Sequence, residues 1–196
     1  MLLDTSDCRK CYFLDNIRDD LYSVTESLWN ARDRVDDDNV NHVPVREDEK
    51  EAIQPLLDKG YEHIGDGNAR IVLRFPDELD NYVVKLGRFG MDPSSIGMWQ
   101  NHNEISLWSK YHSNSYPLVP IMDWRPHNVK WIIMPYGKPM SELDKTTEEI
   151  DDMLSEPIQK LRELDKLSTI EFVPENFILH NNKPMLADYG SHEYGF

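Results

Sequence analysis

The chain has 196 residues, which is room for one domain of about 100–200 residues or a small domain with an appended segment. Its 36 acidic residues against 21 basic ones leave a net charge of −15, a surface that repels phosphate backbones and anionic lipid and excludes general nucleic-acid or membrane binding. Aromatics make up 10% of the residues, too many for a wholly disordered chain, and no apolar run approaches the roughly 18 residues of a membrane span. The acidity fits either a halophilic source, where charge is screened over about 3 Å at 1 M salt, or an ordinary acidic protein.

The opening MLLDTSDCRK carries Asp4 and no apolar run after its basic residues, so no signal peptide is expected. Cys8 and Cys11 form one C-x2-C. That is half of a four-ligand zinc site, and the remaining ligands would come from histidines or a second copy of the chain; free thiols are the alternative. The absence of other cysteines points to a reducing, cytoplasmic location.

Residues 14–32 read as one amphipathic helix, with Leu14, Ile17, Leu21, Val24 and Leu28 recurring at steps of three and four. The stretch from Asp33 through Glu51 is polar and charged and reads as a linker or exposed loop. Its run Asp36, Asp37, Asp38 lacks the glycine and distal glutamate of a calcium loop.

From about residue 55, strand-like runs follow one another at Ile71–Phe75, Tyr82–Leu86, Leu118–Trp124 and Lys130–Tyr136. A helix is expected over Pro93–Tyr111, with Asp92-Pro93 as cap and first turn and with Trp99 and Trp108 as core anchors. Met153, Leu154, Ile158, Leu161, Leu164 and Leu167 fall near one helical face, with Pro157 opening the second of two helical pieces. Short strands at Phe177–His180 and Met185–Ala187 flank the turn Asn181-Asn182. The class is α+β, a mostly β half followed by a mostly α half. The expected divisions are a helical extension with its acidic linker over 1–54, a sheet-rich part over 55–137 and a helical part over 138–196. His102, His112, His127, His180 and His192 lack metal-ligand spacing.

Three constellations carry chemistry. Gly65-Asp66-Gly67-Asn68-Ala69-Arg70-Ile71-Val72 matches G-x-G-x-x-G-x-V except that Arg70 replaces the third glycine; such a turn can bring backbone N–H groups close to phosphates, or it can be a plain hairpin. Lys85 ends the apolar run Tyr82-Val83-Val84, and Glu104 follows in the expected helix; a partly buried lysine needs such an anion to stay charged. Finally, Pro174-Glu175-Asn176 and Asp188-Tyr189-Gly190 place an amide and a carboxylate at the ends of two adjacent short strands, as hard oxygen ligands for a nucleotide-bound Mg²⁺.

In this order the motifs resemble the protein-kinase family: glycine-rich loop, strand lysine, helix glutamate, catalytic-loop asparagine and a DFG-like Asp188-Tyr189-Gly190. Trp131-Ile132-Ile133-Met134-Pro135-Tyr136-Gly137 is similar to the strand that enters the kinase hinge, with Met134 at the gatekeeper place. The likeness covers about 60–190. It implies an antiparallel-sheet N-lobe with one αC-like helix, and a truncated, mostly helical C-lobe. It further implies that Gly65, Gly67 and Val72 cover the nucleotide and that Lys85, paired with Glu104, holds the α- and β-phosphates of ATP. Asn176 and Asp188 would ligate Mg²⁺, and the backbone near Pro135 and Tyr136 would bond the adenine edge.

The departures from the family pattern are two. The base position five residues before Asn176 is Glu171, with neither the His nor the Arg of H-R-D-x-x-x-x-N present. A glutamate's extra methylene shifts its carboxylate by roughly 1 Å, a misplacement that can cost about a hundredfold in rate. Only Ser191–Phe196 follow Asp188-Tyr189-Gly190, so no A-P-E motif or peptide platform is expected, as in a minimal module of viral or mobile-element type. Two functions stay open. One is a pseudokinase-type interaction or regulatory module that binds nucleotide and docks a protein partner through helix 14–32. The other is a minimal ATP- and Mg²⁺-dependent phosphotransferase with Glu171 as base and Lys85 and Asp188 in catalytic roles.

Overall fold

The computed structural model describes residues 8–30, 47–67, 69–88, 97–112, 115–124, 129–164, 167, 170 and 172–190, without the side chains of 8–16 and 78. Expectations for the Asp36–Asp38 run, the Asp92-Pro93 cap, Glu171, the Ser191–Phe196 tail and the thiols of Cys8 and Cys11 therefore lie outside the described residues.

The chain is α+β. Helices α1 (Cys8–Asn30) and α2 (Glu47–Leu57) precede strands β1 (Glu62–Asp66), β2 (Arg70–Arg74) and β3 (Tyr82–Gly87). Helix α3 (Gly97–Tyr111), strands β4 (Asp123–Trp124) and β5 (Trp131–Pro135), helix α4 (Thr147–Arg162) and the hairpin β6 (Phe177–His180) and β7 (Lys183–Leu186) complete it. Five strands form one antiparallel sheet in the order β1-β2-β3-β5-β4.

Period-two alternation divides the apolar residues of this sheet between two cores. Ile71, Leu73, Val84, Leu86, Trp131 and Ile133 face α1 and α2, whereas Val83, Ile132 and Met134 join Leu107 of α3 and the C-terminal half. The stripe Ile17, Leu21, Val24 and Leu28 of α1 is buried in the first of these cores. Polar ties hold the helix in place: Arg18 bonds Asp123 at 2.9 Å, Lys59 bonds Asp20 at 2.5 Å, and Lys130 bonds Glu26 at 2.7 Å.

Four sequence expectations are corrected. The polar stretch ending at Glu51 is not all linker, because α2 starts at Glu47. Glu47, Asp48 and Glu49 sit at its N-terminus, where carboxylates are favourable, and Ala52, Ile53 and Leu56 are buried. Leu118–Trp124 is not one strand: Leu118 bridges to Leu186, and only Asp123 and Trp124 pair with β5. Pro157 does not divide two helices but lies inside the continuous α4, where burial of Leu154 and Leu161 on either side outweighs local propensity. Trp99 is 42% exposed and anchors no core, while Trp108 meets Trp124 edge-on at 6.5 Å. Strand β1 carries no sequence signal of its own, because its edge position leaves it largely exposed and without apolar alternation.

Candidate functional site

A cleft of about 690 Å³ opens between the sheet and the β6–β7 hairpin. Gly65, Gly67, Val72, Lys85, Met134, Pro135, Tyr136, Asn176 and Asp188 all line it, so residues far apart in the chain converge on one concavity. Glu104 lies beneath the floor, fully buried in α3.

The floor is an ion network. Lys85 is carried by the central strand β3 on the face shared with its cross-strand partner Val72. Its Nζ donates to Glu104 Oε1 at 3.0 Å and Oε2 at 3.2 Å, and to the Ala187 carbonyl at 2.6 Å. Two of these three contacts go to the oxygens of one carboxylate, so the ammonium is anchored by Glu104 and by the Ala187 carbonyl. Burial lowers the Lys85 pKa and nearby Arg70 lowers it further, against the pull of Glu104 and Asp188.

Arg70 is the residue that sequence reasoning passed over as a mere replacement for glycine. Its Nη1 donates to Glu104 Oε1 at 2.6 Å and its Nη2 donates to Asp188 Oδ1. The side chain is 6% exposed. Burial opposes its charge, yet Glu104 and Asp188 outweigh burial and raise its pKa. The signal was available: Arg70 stands two residues before Val72 on one strand and therefore shares its face. With Lys85 also on that face, two cations on neighbouring strands converge on Glu104.

Asp188 follows β7, its side chain 46% exposed. Burial would raise its pKa, but Arg70 and then Lys85, together with the Gly190 N–H, hold it lowered. The adjoining residues are tightly seated. Tyr189 is fully buried and its hydroxyl donates to the Val119 carbonyl at 2.8 Å, burial raising its pKa well above the usual phenol value. Gly190 accepts from Asn103 of α3 at 3.1 Å, and a Cβ there would come within 2.5 Å of the Gln100 carbonyl. The Asn176 carbonyl accepts from the Ala187 N–H at 2.8 Å, joining the two candidate ligand positions through the backbone.

The glycine-rich turn is held from outside the cleft. Gly67 donates to the Arg70 carbonyl at 2.8 Å, and Arg88 donates to the Gly67 carbonyl at 2.7 Å. Arg88 in turn forms a buried pair with Glu49 of α2 at 2.7 Å, so the N-terminal region supports the turn. A Cβ on Gly65 or Gly67 would meet nothing within 4 Å. Packing therefore does not require glycine at either position, and both line the cleft.

At the opposite rim, Pro135 has no N–H and the Tyr136 N–H donates to the Asn81 carbonyl at 2.7 Å. The backbone of these two residues can offer a ligand only carbonyl acceptors. Arg74 lies over the Tyr136 ring at 4.5 Å and fixes it.

The donor set was tested against a divalent cation. Asn176 and Asp188 are hard oxygen ligands in type, but Asp188 Oδ1 faces the Arg70 guanidinium. Among the described residues no three His, Cys, Asp or Glu side chains gather as a metal-binding group. With Oδ1 taken by Arg70, Asp188 as placed does not fit an ion held on that oxygen. Comparison with protein-family models and with curated proteins finds no match.

Proposed function

We propose that the chain is a kinase-like, nucleotide-binding module that does not transfer phosphate and works as a pseudokinase-type interaction or regulatory protein. The observation that carries this reading is the occupation of its floor. Lys85 contacts the Glu104 carboxylate and the Ala187 carbonyl, and Asp188 is bonded by Arg70. The carboxylate that phosphotransfer would need for metal is engaged with a cation of the protein itself. Convergence of Gly65, Gly67, Val72, Lys85, Met134, Asn176 and Asp188 on one cleft supports nucleotide as ligand. The absence of H-R-D around Glu171 supports the loss of catalysis.

The alternative, a minimal phosphotransferase, draws on the Lys85–Glu104 pair at 3.0 Å, which active kinases also require. Thermal unfolding with ATP and a turnover assay over protein and small-molecule acceptors at high salt separate the two. Stabilisation by ATP without phosphate transfer is expected. No stabilisation by any nucleotide would refute the binding reading. Turnover that falls about a hundredfold in Glu171→Ala would install Glu171 as general base and favour the enzyme. The partner reading changes in one respect: the apolar stripe of α1 is covered by the sheet, so docking would use the helix's outer face.

A further inference from the structure

Magnesium in a nucleotide cleft neutralises an aspartate, fixes its orientation and presents positive charge to phosphate oxygens. We propose that Arg70 stands in the place of that ion, so that this cleft holds a nucleotide's phosphates without a divalent metal. The inference rests on the nucleotide-binding reading above and goes beyond it in naming the cation.

The guanidinium meets each of the three requirements. Its Nη2 bonds Asp188 Oδ1, which neutralises the carboxylate. Its Nη1 bonds Glu104 Oε1 at 2.6 Å, and Glu104 is fully buried, so the plane of the fork is fixed from the rear. Two of the five N–H donors of an arginine go to these carboxylates, which leaves three, and Arg70 lines the cleft, where they meet ligand oxygens in the proposed complex. A planar fork matches phosphate oxygens in pairs, which a lysine ammonium does not.

Charge excludes both cations at once. A divalent ion on Asp188 would lie against a guanidinium that is always protonated and 6% exposed. Arg70 would then have to swing away and share Glu104 with Lys85 alone. Without metal, Arg70 and Lys85 balance Glu104 and Asp188 charge for charge. The further carboxylates of the rim, Asp66, Glu142 and Glu175, are exposed, and their repulsion of a phosphate is screened over about 3 Å at 1 M salt.

The test uses the full chain in molar KCl. ATP binding is measured by calorimetry in excess EDTA and in millimolar Mg²⁺, and Mn²⁺ alone is titrated by electron paramagnetic resonance. The wild type should bind ATP with the two dissociation constants within about threefold of each other, and Arg70→Gln should bind at least about tenfold more weakly in EDTA than in Mg²⁺. A wild-type affinity about tenfold or more higher in Mg²⁺ overturns the proposal. If ATP binds under neither condition, the nucleotide reading fails, and Mn²⁺ decides the place of Arg70 separately. No Asp188-dependent Mn²⁺ signal in the wild type, with one gained in Arg70→Gln, supports the placement of Arg70 in the ion's position. A wild-type signal lost in Asp188→Asn overturns it, as does a folded Arg70→Gln that gains none. Should Arg70→Gln fail to fold, the two wild-type measurements stand alone and suffice to refute it.

Discussion

Neutralising Glu104 tests the ion network most directly. Glu104→Gln preserves shape, so it opens no cavity, and its effects come from the lost charge and from an amide NH2 that replaces one acceptor oxygen. Glu104 is fully buried and accepts from Lys85 at 3.0 and 3.2 Å and from Arg70 at 2.6 Å. Loss of its charge leaves two buried cations facing Asp188 alone. Removing one partner of a buried pair costs about 3–5 kcal/mol, and the amide oxygen, which still accepts one bond, puts the expected loss at the lower end of that range. With a urea slope of about 2–3 kcal/mol per M for a chain of this size, the midpoint should fall by about 1–1.5 M. Lys85→Met should cost less, because Glu104 keeps Arg70. The double variant should lose less than the sum of the two, with a coupling of about 0.5–3 kcal/mol. Equilibrium urea unfolding followed by tryptophan fluorescence reads all three variants. A Glu104→Gln loss within about 0.5 kcal/mol, the range of ordinary surface changes, would refute the network.

Three further outcomes are expected. Gly67→Ala should leave stability within about 0.5 kcal/mol of wild type, since its Cβ meets nothing within 4 Å, while weakening ATP binding in calorimetry. Gly97→Ala should be destabilised by about 3 kcal/mol or more, because its Cβ would come within 2.0 Å of the Ala69 carbonyl; the reverse ranking in thermal unfolding would contradict the turn geometry. The stabilising effect of Asp188 should be present above its unfolded pKa of about 3.9 and disappear as pH falls through its lowered folded value. The stability gap between wild type and Asp188→Asn should therefore close on acidification below about pH 4; a gap that persists would show that the carboxylate is not held by Arg70.

The sequence was most legible where burial imposes a period. Val83, Val84, Leu86, Ile132 and Ile133 announce their strands because each faces a core, and the hairpin turn Asn181-Asn182 takes positive φ values of 50° and 60°, which asparagine tolerates. Lys85 and Glu104 were legible because each residue type in an apolar setting calls for the other. What escaped was set by tertiary context. Strand β1 is defined by pairing with β2 and not by its own side chains. Helix α2 reads as a charged loop until the sheet supplies a surface for Ile53 and Leu56. Pro157 reads as a break until α4 is pinned on both sides of it.

Arg70 shows why a motif cannot be read one letter at a time. As the third position of a glycine-rich turn it counts as a departure, and its cost is reckoned in lost backbone freedom. As a residue of β2 it is two positions from Val72 and on the same side as Lys85, in a core where a charge survives only if paired. The strand therefore delivers a guanidinium to the carboxylates at positions 104 and 188. Those two are the residues whose charges a phosphate-handling site would otherwise spend on a lysine and on a metal. One substitution on a strand thus supplies a counter-ion, reduces the need for an external one and engages the candidate metal ligand. On the proposed reading, the engagement of Asp188 by Arg70 removes the need for a metal. The missing H-R-D around Glu171 is a separate ground for lost phosphotransfer, and the measurements on Arg70→Gln and on Glu171→Ala address the two separately.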